Sequence, residues 1–185
     1  MMVYLIDRRA SSAGIPRPAG IVGLEAGPPG FEARWRRVIQ SLPGHDDAKI
    51  VFASSNDTID SLIQQTTDLV RTPWTIYMLR ILAHGFSDGY IELGTGVRHG
   101  QARIFSRLAH YMTPERMHGR GIQIHGCNVG QGAGGMRLLQ AIADAVGMPV
   151  TASTAVQQPD TYFRFEGNEG SLRTAIPHRR RHHTH

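Results

Sequence analysis

The chain has 185 residues, of which 41% are hydrophobic, and it contains 21 glycines and a single cysteine. This length supports one domain with a hydrophobic core, and the composition is typical of a globular α/β protein with many turns. No apolar run approaches the roughly 20 residues that a transmembrane helix needs. One cysteine cannot form an intrachain disulfide, and the N-terminus has the pattern of a strand rather than of a signal peptide. We therefore expect a cytoplasmic protein without membrane contact.

The net charge of +5 is concentrated at the C-terminus, where Arg179–Arg181 supply three of the five positive charges. We interpret residues 177–185 as a disordered basic tail. The histidines of this tail have only loose metal-ligand spacing, and we assign them no site. Because the rest of the chain is nearly balanced in charge, nucleic acid is an unlikely partner except through the tail.

The pattern of apolar residues predicts helices and strands that alternate along the chain. In chain order we predict a strand at 3–6, a helix at 31–42, a strand at 50–53, a helix at 57–70, a strand at 76–83, a helix at 101–112, a strand at 122–125, a helix at 134–146, and strands at 150–152 and 161–165. Residues 8–48 form an insertion-like segment that includes a loop, rich in glycine and proline, at 10–30.

Local signals refine this pattern. Polar residues at positions 54–57 offer N-caps for the helix that follows them, and Gly147 is suited to end the helix at 134–146. The pair Asp88 and Gly89 predicts the turn of a β-hairpin that continues into residues 90–93. Alternating strands and helices predict a single three-layer α/β/α domain over residues 1–176, with about six mainly parallel strands and helices on both faces.

Two predicted strands end beside side chains that carry chemistry. His84 and Gly85 follow the strand at 76–83, and Gly126 and Cys127 follow the strand at 122–125. Parallel strands deliver their carboxyl ends to one edge of a sheet, where α/β proteins keep their sites. A thiol and an imidazole at neighbouring strand ends can act as a nucleophile and its base, so we predict that His84 and Cys127 form a catalytic pair.

The backbone around these residues is suited to the same chemistry. Gly126 allows a substrate to approach the thiol closely, and the glycine-rich run at 130–135 opens a helix whose first N–H groups favour an anion. These features favour the thiolate form of Cys127. The backbone N–H groups of Gly85 and Cys127 are candidates for stabilising a tetrahedral oxyanion.

The ordered set of these motifs resembles the caspase-like cysteine peptidase clan, over residues 49–155. The resemblance is nearest to the bacterial caspase-like domains of uncharacterised function in large repeat-containing surface proteins. Its motifs are Ala83-His84-Gly85, then Gly89-x-Ile91-x-Leu93-Gly94, then Gly126-Cys127-Asn128-Val129-Gly130, then Val150-Thr151-Ala152-Ser153-Thr154.

The resemblance implies a caspase-like fold and a catalytic dyad of His84 and Cys127 that acts on a protein or peptide substrate. It also implies that Ser153 and Thr154 shape the pocket for the residue before the scissile bond. We expect neither a metal nor another cofactor. Residues 8–48 depart from the clan's pattern.

Three functions compete at this point. The first is a cysteine endopeptidase that cleaves itself or a dedicated partner protein, and the second is an inactive caspase-like interaction module. The third is nucleotide binding, because Gly130, Gly132 and Gly135 satisfy the spacing G-x-G-x-x-G. The dinucleotide motif requires an acidic residue near the end of the next strand, and residues 150–155 contain none. We rank the nucleotide function last.

The basic tail generates a first testable prediction. Deletion of residues 178–185 is expected to abolish any binding to a polyanion such as heparin without lowering the thermal melting temperature. Heparin binding by the full chain should fall steeply with added salt, because it depends on contacts between arginine side chains and anionic groups such as sulfate. Heparin affinity that survives the deletion would instead require a basic groove on the folded domain.

Overall fold

The computed structural model describes residues 1–10, 30–113, 120–157, 165 and 171–178. Most of the predicted loop at 10–30, residues 161–164 of the last predicted strand and residues 179–185 of the tail lie outside these ranges. The strands are β1 (Met2–Asp7), β2 (Lys49–Ala53), β3 (Met78–Leu82), β4 (His84–Phe86), β5 (Tyr90–Glu92), β6 (Gly121–His125), β7 (Val150–Ser153) and β8 (Leu172–Ala175). The helices are α1 (Phe31–Gln40), α2 (Ile59–Val70), a 3₁₀ helix (His99–Leu108) and α3 (Gly132–Val146).

Six of these strands form one sheet in the spatial order β2-β1-β3-β6-β7-β8. The first five strands are parallel to one another, and β8 is antiparallel to β7. The remaining two strands, β4 and β5, form the antiparallel hairpin that Asp88 and Gly89 predict. The prediction of a mainly parallel sheet of about six strands is therefore confirmed.

Helices pack on both faces of the sheet, as expected for a three-layer α/β/α fold. Successive side chains of a strand point to opposite faces, and β1 is buried on both. Val3 and Leu5 belong to a core shared with α2, the 3₁₀ helix and α3. Tyr4 and Ile6 belong to a second core that includes the buried face of α1. The apolar run of β1 thus reflects its central position between two layers of helices.

The predicted helix at 101–112 differs from the observed one in type and in length. The chain forms a 3₁₀ helix that begins at His99 and ends at Leu108, and its buried residues are Ala102, Phe105 and Leu108. These residues recur every three positions, which matches the three residues per turn of a 3₁₀ helix. Residues 109–112, which belong to the predicted helix, lie beyond the observed one, and Ala109 is exposed.

Helix capping agrees with the sequence at one end and not at another. Gly147 ends α3 with a positive φ of 73°, which confirms its predicted role. None of the four polar residues at 54–57 caps α2; the hydroxyl of Thr58 accepts a hydrogen bond from the Ser61 N–H instead. The Asp57 carboxylate accepts from the Ser54 N–H and hydroxyl, so it stabilises the preceding turn. Strand β8 was not predicted, because only Ala175 in it is buried.

The strand order determines where a site can form. From β1 the chain passes to β2 on one side and from there to β3 on the other side of β1. The carboxyl ends of β1 and β3 therefore flank a switch point, where neighbouring connections diverge and leave a crevice. Asp7 ends β1 at this crevice and residues 8–9 follow it, residues 83–84 follow β3, and β6 adjoins β3 on its other side.

A series of polar side-chain contacts lies on the face of the sheet that α1 covers. The Tyr4 hydroxyl lies 2.8 Å from Nδ1 of His45 and 3.3 Å from Nη1 of Arg80. Arg80 also donates from Nε to the Gln123 side chain at 3.0 Å. Burial lowers the pKa of His45 below its ordinary value of 6.5, and the positive charge of Arg80 acts in the same direction.

This contact generates a prediction about pH. Because the pKa of His45 is lower in the folded chain, the unfolded chain binds this proton more tightly, and stability falls as the pH drops through and below about 6.5. His45→Gln keeps a hydrogen-bond acceptor at this position but does not titrate. Between pH 7.5 and pH 5, about the window in which histidine titrates, this variant should lose less stability than the wild type. Urea midpoints at both pH values measure the difference. Parallel pH profiles would contradict the assignment.

Candidate active site

His84 is the first residue of β4 and lies at the crevice between β1 and β3. It is half-buried, and its Nε2 atom lies 2.9 Å from the carbonyl oxygen of Arg9. A carbonyl oxygen only accepts hydrogen bonds, so Nε2 is the nitrogen that carries hydrogen. When the ring is neutral, its basic nitrogen is therefore Nδ1. The end of β1 thus fixes which nitrogen of His84 can accept a proton.

Cys127 follows β6, in a tight turn at residues 127–130. The thiol is half-buried, and its sulfur lies 3.3 Å from the backbone nitrogen and 3.4 Å from the carbonyl oxygen of Gln157. The sulfur can donate to this carbonyl as a thiol, whereas the Gln157 N–H can donate to it as a thiolate. The loop after β7 is therefore in contact with the sulfur in either protonation state.

The strand ends that carry His84 and Cys127 pack directly on each other. A Cβ atom added to Gly85 would lie 2.5 Å from the carbonyl oxygen and 2.9 Å from the backbone nitrogen of Cys127. A Cβ atom added to Gly126 would lie 2.9 Å from the carbonyl oxygen of Ala83. Neither position has room for a side chain, so the two glycines allow the backbones to approach.

The N–H of Gly85 is not used by the hairpin ladder. Ile91, which lies opposite Gly85, exchanges both of its backbone hydrogen bonds with Val97, at 3.0 and 2.8 Å. Since a residue's N–H and C=O point to the same side of an antiparallel pair, Gly85 and Ile91 form a non-hydrogen-bonded pair. The N–H of Gly85 therefore points away from β5. Gly85 is buried against the turn after β6, and its oxyanion role stays a prediction.

Of the predicted pocket residues, Ser153 is the last residue of β7, and Thr154 begins the segment that leads to Gln157. Ser153 is fully buried, and its hydroxyl accepts hydrogen bonds from the Ala155 N–H at 3.0 Å and from the Gln157 side chain at 2.9 Å. The Thr154 hydroxyl donates to the carbonyl oxygen of Ser171 at 2.9 Å. Both side chains therefore shape the loop that contacts the sulfur, while their role as pocket residues stays a prediction.

Packing accounts for most of the glycines in the predicted nucleotide motif. An added Cβ at Gly130 would lie 3.2 Å from the carbonyl oxygen of Ala152, and one at Gly135 would lie 2.4 Å from that of Val129. Gly134 approaches the hairpin turn, where its added Cβ would lie 2.5 Å from the carbonyl oxygen of Asp88. The start of α3 is thus packed against β7 and the hairpin, and these contacts explain Gly130 and Gly135 without a nucleotide. Gly132 meets no atom within 4 Å of an added Cβ, but its φ of 67° favours glycine.

Two other polar residues near the strand ends have structural roles. The ring of His125 stacks on Phe165, with centroids 4.4 Å apart and planes 9° from parallel. Asp88 has a positive φ of 69°, which the turn of the hairpin requires. Asp88 agrees with the predicted turn, and packing explains His125. Within the described ranges, no three His, Cys, Asp or Glu side chains form a group that could hold a metal ion.

Sequence analysis did not identify Asp7, Arg9 and Gln157 as parts of the site. Asp7 is fully buried at the end of β1 and receives hydrogen bonds from Arg9. The only signal for Asp7 in the sequence is its position directly after the predicted apolar strand at 3–6. Gln157 has no such signal, because it reaches the sulfur through its main chain.

Comparison with known proteins identifies the family to which the chain belongs. The chain belongs to the family described as a domain of unknown function (DUF4347), whose model matches residues 35–158. This range includes His84, Cys127 and Gln157. No curated protein and no solved structure matches the chain. In the part of the chain that the structure describes, no helix is both long enough and apolar enough to cross a membrane.

The close packing of Gly85 generates a prediction. Gly85→Ala places a methyl group against the main chain of Cys127, which cannot move aside as a side chain can. We expect a destabilisation of about 1–3 kcal/mol and a changed rate of Cys127 alkylation by iodoacetamide. Urea unfolding and mass spectrometry of the alkylated chain measure the two effects.

Gly100→Ala is the matched control, since an added Cβ there meets no atom within 4 Å and the φ angle is ordinary. This variant should be neutral or stabilised by about 0.5 kcal/mol. Equal stability of the two variants would contradict the close approach of the strand ends.

Proposed function

We propose that the chain is a cysteine endopeptidase of the caspase-like type, with His84 and Cys127 as its catalytic dyad. The observation that carries the proposal is the packing of Gly85 on the main chain of Cys127, because it joins the two strand ends at one edge of the sheet. The hydrogen bond from His84 Nε2 to the Arg9 carbonyl supports it, since it leaves Nδ1 as the base.

The reaction follows from these groups. His84 takes the proton of the Cys127 thiol, and the thiolate attacks the scissile carbonyl carbon to form a tetrahedral intermediate. Backbone N–H groups of Gly85 and Cys127 stabilise its oxyanion. Collapse of the intermediate breaks the C–N bond, and His84 returns its proton to the leaving amine. Water, deprotonated by His84, then hydrolyses the thioester and regenerates the thiol.

A second function, that of an inactive caspase-like interaction module, is favoured by one observation. The sulfur of Cys127 already lies within hydrogen-bonding distance of both main-chain polar atoms of Gln157. A sulfur held in this way approaches a substrate only if the loop after β7 moves. In an interaction module the same contacts simply anchor that loop.

The test uses the full chain and a library of peptides produced by digestion of a proteome. New peptide termini, detected by mass spectrometry, report cleavage, and the chain itself is examined for self-cleavage. Cys127→Ala should abolish cleavage with the fold intact, and His84→Ala should lower the rate about 10²–10⁴-fold, the usual contribution of a general acid–base. His99→Ala, an exposed histidine at the start of the 3₁₀ helix, should cleave like the wild type.

Two results would overturn the peptidase proposal. One is cleavage that persists unchanged in Cys127→Ala. The other is a wild-type chain that cleaves no peptide and whose Cys127 is alkylated no faster than a free cysteine at the same pH. The second result would leave the interaction module as the better explanation.

A further inference from the structure

The carboxylate of Asp7 is fully buried at the end of β1, and four hydrogen bonds satisfy it. One oxygen accepts from the backbone N–H of Arg9 at 2.9 Å and from its Nε at 2.8 Å. The other accepts from Nη2 of Arg9 at 2.8 Å and from the backbone N–H of Gly94 at 2.8 Å. A buried charge requires such complete pairing, so Asp7 holds both the main chain and the side chain of Arg9.

The guanidinium of Arg9 continues from Asp7 to the hairpin. Its Nη1 lies 3.2 Å from the carboxylate of Glu92, and its Nη2 donates to the carbonyl oxygens of Glu92 at 3.2 Å and Gly94 at 2.6 Å. These hydrogen bonds involve several donors of one planar group, which is a geometry that lysine does not reproduce. Arg9 therefore ties the end of β1 to the end of β5.

The same residue contacts His84 through its main chain. The carbonyl oxygen of Arg9 lies 2.9 Å from His84 Nε2, and His84 lies directly opposite Glu92 in the hairpin. The contacts thus return to the residue from which they start. The Arg9 side chain contacts Glu92, Glu92 lies opposite His84 in the hairpin, and His84 contacts the Arg9 carbonyl. With its N–H and its side chain both held, Arg9 presents this carbonyl in a fixed direction.

We propose that Asp7 and Arg9 are positioning residues for His84, and we call their contacts with Glu92 and Gly94 the Asp7–Arg9 clamp. The clamp holds the Arg9 carbonyl on Nε2 of His84, so that the neutral ring keeps one tautomer and presents Nδ1 as its base. This inference rests on the proposed function, because it gives His84 the role of base for Cys127. Neither residue touches substrate, and the clamp acts only through the ring that it orients.

Arg8 provides a matched control beside Arg9. Its guanidinium pairs with Glu32 on α1, and both of these side chains are partly exposed. A change at Arg8 removes the same kind of charge at the neighbouring position without touching Asp7, the hairpin or His84. Any effect that Arg9 shows and Arg8 does not is therefore specific to the clamp.

The first measurement is the tautomer of His84, read from ¹⁵N chemical shifts of its ring in the full chain. In the wild type and in Arg8→Gln, the neutral ring should carry its hydrogen on Nε2 alone. In Arg9→Gln the carbonyl is no longer held, and both tautomers should appear. Arg9→Lys, which keeps the charge but lacks the planar group, should lie between them.

The second measurement is the rate of Cys127 alkylation by iodoacetamide as a function of pH. At neutral pH the rate in Arg9→Gln should fall by between about threefold and 10²-fold, the upper figure being the loss that a misplacement of about 1 Å produces. The rate in Arg8→Gln should equal that of the wild type. A folded Arg9→Gln with the wild-type tautomer and alkylation profile overturns the clamp.

If Arg9→Gln does not fold, Arg9→Lys decides the matter, since it keeps the charge beside Asp7 but lacks the planar group that reaches Glu92 and Gly94. A mixed tautomer with slower alkylation in Arg9→Lys supports the clamp, and a wild-type result overturns it. Neither measurement uses a peptide. A shifted tautomer in Arg9→Gln keeps the clamp even if the wild-type chain cleaves nothing and its Cys127 is alkylated no faster than a free cysteine, which rejects the peptidase. Equal cleavage by the wild type and Arg9→Gln keeps the peptidase and rejects the clamp.

Discussion

The buried carboxylate of Asp7 is the constraint on which the arrangement of the strand ends depends. It lies at the end of a central strand that is packed on both faces, so no water replaces a missing partner. Its partners come from the residues just after β1 and from the residues just after β5. Removing a partner leaves this carboxylate buried and incompletely paired, which is destabilising. Folding of the sheet therefore brings the hairpin and the turn after β1 together.

Gly85 and Gly126 extend this constraint to the turn after β6. The hairpin held by Asp7 begins at His84, and its second residue, Gly85, lies on the main chain of Cys127. Any side chain at 85 would separate β4 from the turn after β6. The order β2-β1-β3-β6 thus places the carboxyl ends of β1, β3 and β6 at one edge of the sheet. Because Gly85 and Gly126 lack a Cβ atom, the turns after β3 and β6 can approach each other closely. The residue directly after His84 therefore lies on the main chain of Cys127.

The family is described as a domain of unknown function, and the chemistry of the strand ends depends on the atoms around the sulfur. The sulfur of Cys127 lies against a main chain that offers it both a donor and an acceptor. The donor stabilises a thiolate, and the acceptor stabilises a thiol. The protonation state of the sulfur decides which of the two contacts forms, and Ser153 holds the loop in place through its hydroxyl.

The sequence alone determined the alternation of strands and helices and the position of His84 and Cys127 at strand ends, because both follow from apolar periodicity and from glycines in the local chain. The 3₁₀ geometry at 99–108 was not predicted, since Phe105 and Leu108 fit a helix of either type until packing selects one. Strand β8 was missed because it is bound through its backbone at the edge of the sheet. The roles of Asp7, Arg9 and Gln157 also came from the tertiary structure. Their partners at positions 94, 84 and 127 are remote in the chain, and only the order of the strands decides that these residues meet.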